Sequence, residues 1–298
     1  MAIDDIVLNF NPATLMLLNV VVGMIMLGVA LDMKVEDFRM VLRAPKAVAI
    51  GLLAQFVLLP AVTTAIVVAL DPAPSIALGM ILVASCPPGN LSNFLTHLAR
   101  GGTALSVSMS AVSTVGALVM TPVNLSFWAS LHEPARSLLT AIALDPVEVT
   151  TSIMLLIGIP LGVGLTLVEK YPRIADRIRK PVQKISHVLV TLFIIGALVA
   201  NLPLLRHIGV VAVFVALQDA LALGSGYVAS WAAGLGEANR RAVTYEVGMR
   251  NAGVSLALAF NHFGGLGGVA VIAAWWGVWH IVSGLPLALI WRRFPPKS

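Results

Sequence analysis

Glu246-Val247-Gly248-Met249-Arg250-Asn251 decides how this chain is read. Downstream of it, Ala252 to Phe260 is almost wholly apolar, and Gly267 to Ile290 reads as a membrane helix. A carboxylate, a guanidinium and an amide therefore sit where the surroundings resemble a bilayer. Placing Asp, Lys or Arg at the centre of a membrane helix costs roughly 2.5–3.5 kcal/mol each even on lenient scales. Such groups persist where they face each other, an ion or a wet cavity. Gly248 and Asn251 also mark a place where the helix can break and free its carbonyls and amides for a ligand. Paired broken helices at mid-membrane are how many secondary transporters build their binding site. The plainer alternative is a structural Glu246–Arg250 ion pair at i, i+4 spacing.

Composition agrees with a membrane setting. Of 298 residues, 58% are hydrophobic and 11% charged, against about 25% charged in soluble domains. The expected fold is an all-α polytopic membrane protein forming a single transmembrane domain over 1–298. The net charge of +5 does not suggest nucleic acid, because the basic residues lie in loops between apolar runs and not on one face. The lone Cys86 excludes an intramolecular disulfide. Asp4 and Asp5, with no basic region beside them, argue against a cleaved signal peptide. Zinc, P-loop and dinucleotide motifs are absent, as is any convincing nucleophile–base pair, so an enzyme is not expected. Nothing points to an obligate protein partner.

A membrane span needs about 20 apolar residues. Nine stretches qualify: 13–31, 47–70, 76–98, 103–122, 149–168, 185–203, 207–234, 243–262 and 266–291. The third and eighth are interrupted. Residues 123–148, with Trp128, His132, Glu133 and Asp145, read as interfacial. Loop charge sets orientation. One side holds Lys34, Arg39, Arg43, Lys46, Arg100, a basic 169–184 loop, Arg240 and Arg241, and the tail, together 16 of the 19 basic residues. The other side has Arg136 and Arg206 only. This predicts a cell-membrane protein with an outside N-terminus and a cytoplasmic C-terminus.

The interrupted spans echo one another. Gln55 precedes the break at Cys86-Pro87-Pro88-Gly89-Asn90, and Gln218 precedes the break at Glu246 to Asn251. The spans run in opposite directions, which predicts inverted repeats over about 13–122 and 149–291, with the first repeat one helix short. Inverted repeats with paired broken helices suggest alternating access around a shared midplane site.

Pro87 and Pro88 remove two backbone donors, and Asn90, Ser92 and Asn93 follow as side-chain acceptors at a helix start. Ser106 and Ser110 lie four apart, on one face of the next span. With Glu246 these oxygens suit a hard cation. Ser108, Ser113 and Thr114 fit close helix packing instead. Asp219, beside Gln218, is a second intramembrane acid. His280, among Trp275, Trp276 and Trp279, either lines the cavity or bonds within the core. His97, His187, His207 and His262 lie near span ends and read as interfacial.

At these residues the chain resembles the bile acid:sodium symporter family. The likeness runs from Leu27-Gly28-Val29-Ala30-Leu31 through Arg43-Ala44-Pro45-Lys46 to the tail. It is most specific at Cys86-Pro87-Pro88-Gly89 with Ser92-Asn93, Leu105-Ser106, Ser113-Thr114, and Glu246-Val247-Gly248-Met249 with Asn251. The resemblance implies a nine-span form with a panel domain (spans 1, 5 and 6) rocking against a core (spans 2–4 and 7–9). It implies a sodium site at Ser92, Asn93, Ser106, Ser110 and Glu246. A second cation site would use Gln55, Glu246 and the carbonyls of Val247 and Met249, but its remaining glutamine is replaced here by Arg250. Asn90, Asn251 and His280 would contact substrate. The implied activity is sodium-coupled import of an organic anion, bile-acid-like or a small carboxylate, with one sodium because Arg250 occupies the second site. The alternatives are metalloid oxyanion efflux through Cys86, or a membrane sensor that binds without transport.

Overall fold

The computed structural model describes residues 3–5, 12–142, 146–200 and 208–296. Asp145, Arg206, His207 and Lys297 lie outside them, as do the end of the sixth expected span and the side chain of His187. Every regular element among the described residues is helical. After a short turn at Ile3–Asp5 come α1 (Pro12–Asp32), α2 (Val35–Arg43), α3 (Pro45–Leu53), α4 (Leu59–Leu70), α5 (Pro74–Ser85), α6 (Leu91–Leu98) and α7 (Thr103–Ser130). They are followed by α8 (Glu133–Ala141), α9 (Pro146–Ile153), α10 (Ile159–Lys170), α11 (Pro172–Ala200), α12 (Ile208–Ala232), α13 (Glu237–Gly248), α14 (Ala252–His262) and α15 (Gly267–Arg293). Among the described residues, six rods are long and apolar enough to cross a membrane. The chain is a multi-pass membrane protein.

Proline placement explains much of this order. Pro45, Pro74, Pro146 and Pro172 each open a helix, where the missing N–H would have had no partner. Pro60 and Pro160 instead lie inside long rods, each just after a wider π-turn, at Ala54–Leu58 and Met154–Gly158. A proline cannot donate to the carbonyl four residues earlier, and a π-bulge absorbs the mismatch. The carbonyl that Pro60 leaves unserved, that of Phe56, accepts Asn124 Nδ2 from α7 at 2.9 Å.

Two sets of rods pack most extensively, and they also touch each other, α1 on α14 and α7 on α9. α1 lies against α10 and α11, which also touch each other. Elsewhere α5 packs on α15, α12 on α13, α14 on α15, and α6 on both α13 and α7. Glycine allows the closest of these approaches. A Cβ added at Gly79 on α5 would stand 3.0 Å from the Val269 Cα of α15. Small residues of this kind let membrane helices gain dispersion contact where no hydrophobic drive exists.

Two boundaries differ from the sequence reading. The basic 169–184 stretch is not a loop: α10 runs to Lys170, and α11 starts at Pro172 after Tyr171 alone. Arg and Lys are good helix formers, so their charge ends the bilayer-compatible stretch without ending the helix. Residues 123–130 are likewise not a separate interfacial segment but the last turns of α7, which continues through Pro122. Their polar side chains are used internally, as the Asn124 bond shows. Only α8, with its N-cap His132, follows as a short helix.

The end of the core that carries the arginines is tied by one side chain. Arg241, 3% exposed, was counted above among loop charges, but it lies buried in α13. Its Nη1 donates to Ala99 O (2.8 Å) and Trp291 O (3.0 Å), Nη2 to Phe294 O (2.7 Å), and Nε to Glu237 Oε1 (2.9 Å). The guanidinium thus joins the C-terminal ends of α6 and α15, where the helix dipoles favour positive charge.

Candidate ion and solute site

Both interrupted spans are broken at the residues the sequence marked. α5 stops at Ser85 and α6 starts at Leu91; α13 stops at Gly248 and α14 starts at Ala252. The two breaks cross and bond to each other. Gly89 N–H donates to Met249 O (2.8 Å) and Asn251 N–H to Pro87 O (2.9 Å), so Pro88 and Arg250 form an isolated antiparallel bridge. Backbone groups freed by the breaks are therefore satisfied across the crossing, as a water-poor interior requires. The crossing itself does not demand glycine at 89: a Cβ there would lie in ordinary contact, 3.6 Å from Arg250 O.

Glu246, in the last turn of α13, is fully buried. Its carboxylate faces the first turn of α6 and one face of α7. Ser92 Oγ lies 2.5 Å from Oε1, Ser106 Oγ 2.7 Å, and Ser110 Oγ 2.8 Å from Oε1 and 3.0 Å from Oε2. Asn93 Oδ1 lies 2.8 Å from Ser106 Oγ and 3.4 Å from Ser110 Oγ, and Gly89 O is 2.8 Å from Ser92 Oγ. The five side chains singled out by sequence thus meet in one cluster. It contains seven O···O contacts, yet each hydroxyl has one proton to give, so three protons serve seven contacts. An excess of oxygen lone pairs around a carboxylate is chemistry that suits a hard cation.

Arg250 is also fully buried, but it makes no ion pair with Glu246 within 4.0 Å among the described residues. Its Nε donates to Val247 O (3.0 Å) and its Nη1 to Cys86 O (3.0 Å), while Nη2 has no partner. These carbonyls belong to the C-terminal ends of α13 and α5, the negative ends of two helix dipoles. Met249 O is taken by Gly89 N–H. Gln55 is fully buried in the first π-turn, with both side-chain polar atoms unpartnered.

The substrate candidates are spread around the crossing. Asn251 Oδ1 caps α14 through Val254 N–H (3.1 Å), and its Nδ2 points at Met26 Sδ of α1, 4.0 Å away. Asn90 is half-buried and makes no capping bond at the start of α6. His280 on α15 stands beside the Arg250 backbone, with Nδ1 unpartnered. The Cys86 thiol is buried beside Ser255. Sequence reasoning missed one pair between the two helix groups. Asn19 on α1 and Asn261 on α14 exchange amide bonds of 3.1 and 2.7 Å. Two amides inside apolar spans were the available signal.

The profile described as the Sodium Bile acid symporter family matches residues 19–208. This chain belongs to that family. An uncharacterised sodium-dependent transporter of Bacillus subtilis, YocS, is 32% identical over 94% of this chain and 84% of its own length. A probable chloroplastic sodium/metabolite cotransporter of rice, BASS2, is 32% identical over 93% of this chain and 64% of its own. The human sodium/bile acid cotransporter 4 is 32% identical over 81% of this chain and 56% of its own. The chain therefore spans less than two thirds of the rice and human relatives. As a member of the symporter family it is a transporter and not an enzyme. The profile ends before Glu246, so the likeness over the second break rests on the longer pairwise matches.

Proposed function

We propose that this chain imports an organic anion, bile-acid-like or a small carboxylate, together with one sodium ion by alternating access. The observation that carries this reading is the Glu246 cluster, where three hydroxyl protons serve seven oxygen contacts. Sodium on Ser92, Asn93, Ser106, Ser110 and Glu246 would balance the carboxylate, which otherwise faces a large desolvation cost. The sodium-dependent relatives support the same ion. With α11 and the two broken pairs, the six rods make nine crossings. The panel would be α1, α9–α10 and α11, and the core the remaining rods, a division that the packing supports. The basic residues would place the C-terminus in the cytoplasm.

In this reading Arg250 stands where a second cation would sit, taking the Val247 carbonyl itself. A monoanion moving with one sodium transfers no net charge. Asn90, Asn251 and His280 would meet the anion beside the crossing. Thermal unfolding of the purified protein in sodium against potassium tests the site. Sodium is expected to stabilise the wild type, and Glu246→Gln and Asn93→Ala are expected to fold but lose that shift. A Glu246→Gln variant with the full sodium shift would show the site to be misassigned.

A further inference from the structure

Asp219 on α12 is left unused by this scheme, and its surroundings are unusual. It is 1% exposed, and among the described residues neither carboxylate oxygen has a hydrogen-bond partner. Leu223, one turn further along α12, packs where a Cβ on Gly248 would meet it at 2.4 Å. Asp219 is thereby set level with the Met249–Arg250 break. α12 packs on α13, α15, α3, α4, α5 and the first π-turn. The ionisable side chains on those elements are Glu237, Arg240, Arg241, Tyr245 and Glu246 on α13, His280, Arg292 and Arg293 on α15, and Lys46 on α3. None of the basic ones pairs with Asp219 within 4.0 Å. An ionised carboxylate so placed would have neither a protein donor nor a counter-ion among the described residues, an expense that proteins avoid by binding a proton.

One hydroxyl neighbours it. Ser283 Oγ of α15 faces the carboxyl and lies 3.1 Å from Trp279 O and 3.5 Å from His280 O, to which it can donate; when it does so, its lone pairs can accept an O–H from a protonated carboxyl. One turn away, His280 has a free Nδ1 and stands beside the Arg250 backbone. A polar line thus runs from Asp219 through Ser283 and His280 to the crossing.

We propose that Asp219, with Ser283 and His280, forms a proton site on the seam between α12 and α15, filled in this conformation. It rests on the symport reading for its role, which is to carry a proton as companion to the single sodium, adding one positive charge to an otherwise neutral anion–sodium cycle. A proton from water on the accessible side adds to one carboxylate oxygen, giving a neutral acid beside the Ser283 hydroxyl. Release returns the proton to water on the opposite side, once the seam admits water to solvate the carboxylate.

Dicyclohexylcarbodiimide tests this without any transported solute, because it adds to protonated carboxyls in apolar surroundings. The expected result is an adduct at Asp219 in saturating sodium, found by peptide mass spectrometry and falling as the buffer is made alkaline. Sodium should protect Glu246 but not Asp219. Asp219→Asn should lose the adduct and a protonated-carboxyl infrared band, and should keep the sodium-induced thermal shift. If the asparagine variant does not fold, the wild type and Asp219→Glu decide by the same labelling. No adduct at Asp219 at any pH, no such band, or loss of the sodium shift in the folded Asn variant overturns the proposal. A wild type labelled at Asp219 but indifferent to sodium would instead sink the sodium reading and leave the proton site standing.

Discussion

Replacing Arg250 by glutamine removes a fixed positive charge from the crossing while leaving an amide that can offer a carbonyl oxygen. In the wild type Arg250 Nε lies 3.0 Å from Val247 O, so a cation seated on that oxygen would be about 4 Å from the guanidinium. Two unit charges ~4 Å apart repel by about 4 kcal/mol at an effective dielectric near 20. At about 1.4 kcal/mol per decade, that weakens a second sodium roughly a thousandfold. Arginine cannot relieve this by deprotonation, and it has no lone pair to offer. Equilibrium dialysis with radioactive sodium, alongside thermal shift, should therefore count about one ion per chain in the wild type and about two in Arg250→Gln, with the Hill coefficient rising in step. The variant should also be less stable without sodium, since Cys86 O and Val247 O lose charged donors that contribute about 1.5–3 kcal/mol each. Two sodium ions bound to the wild type would refute the argument. An unchanged count of one in Arg250→Gln, with weakened anion binding, would transfer Arg250 to the substrate.

Arg241→Ala should lower stability by on the order of 3–5 kcal/mol, because it leaves buried carbonyls of α6 and α15 without donors; Arg241→Lys should recover only part of this, as an ammonium cannot fork to all of them, and detergent thermal melts would show both. For topology, single cysteines at Ser137 and Arg177 in a Cys86→Ala background should react with an impermeant maleimide from opposite sides of the membrane; labelling from one side would refute the proposed orientation.

What could be read from sequence was whatever is expensive in a bilayer. Prolines, paired amides and a carboxylate among apolar residues stand out because each needs a specific remedy, and so the breaks at 86–90 and 249–251 and the oxygen cluster were legible. Partners were less so. Asn19 and Asn261, or Asn124 and the Phe56 carbonyl, are ordinary polar residues until the fold brings them together, and sequence separations of 242 and 68 leave no local signal. The start of α11 was misjudged for a different reason: hydropathy reports where lipid ends, and helix hydrogen bonds are indifferent to that limit.

Glu246 and Arg250 show where a spacing rule lapses. The i, i+4 rule presumes an unbroken helix between the two residues, and Gly248 to Arg250 is where α13 ends. Once the backbone leaves the helix, the guanidinium no longer stands over the carboxylate. It turns to the carbonyl ends of α13 and α5, while the carboxylate turns to the hydroxyls of α6 and α7. The same break that separates the pair gives each charge a helix end of opposite sign. On the proposed reading, that separation leaves the carboxylate free for a mobile cation and gives the guanidinium the place of a fixed one.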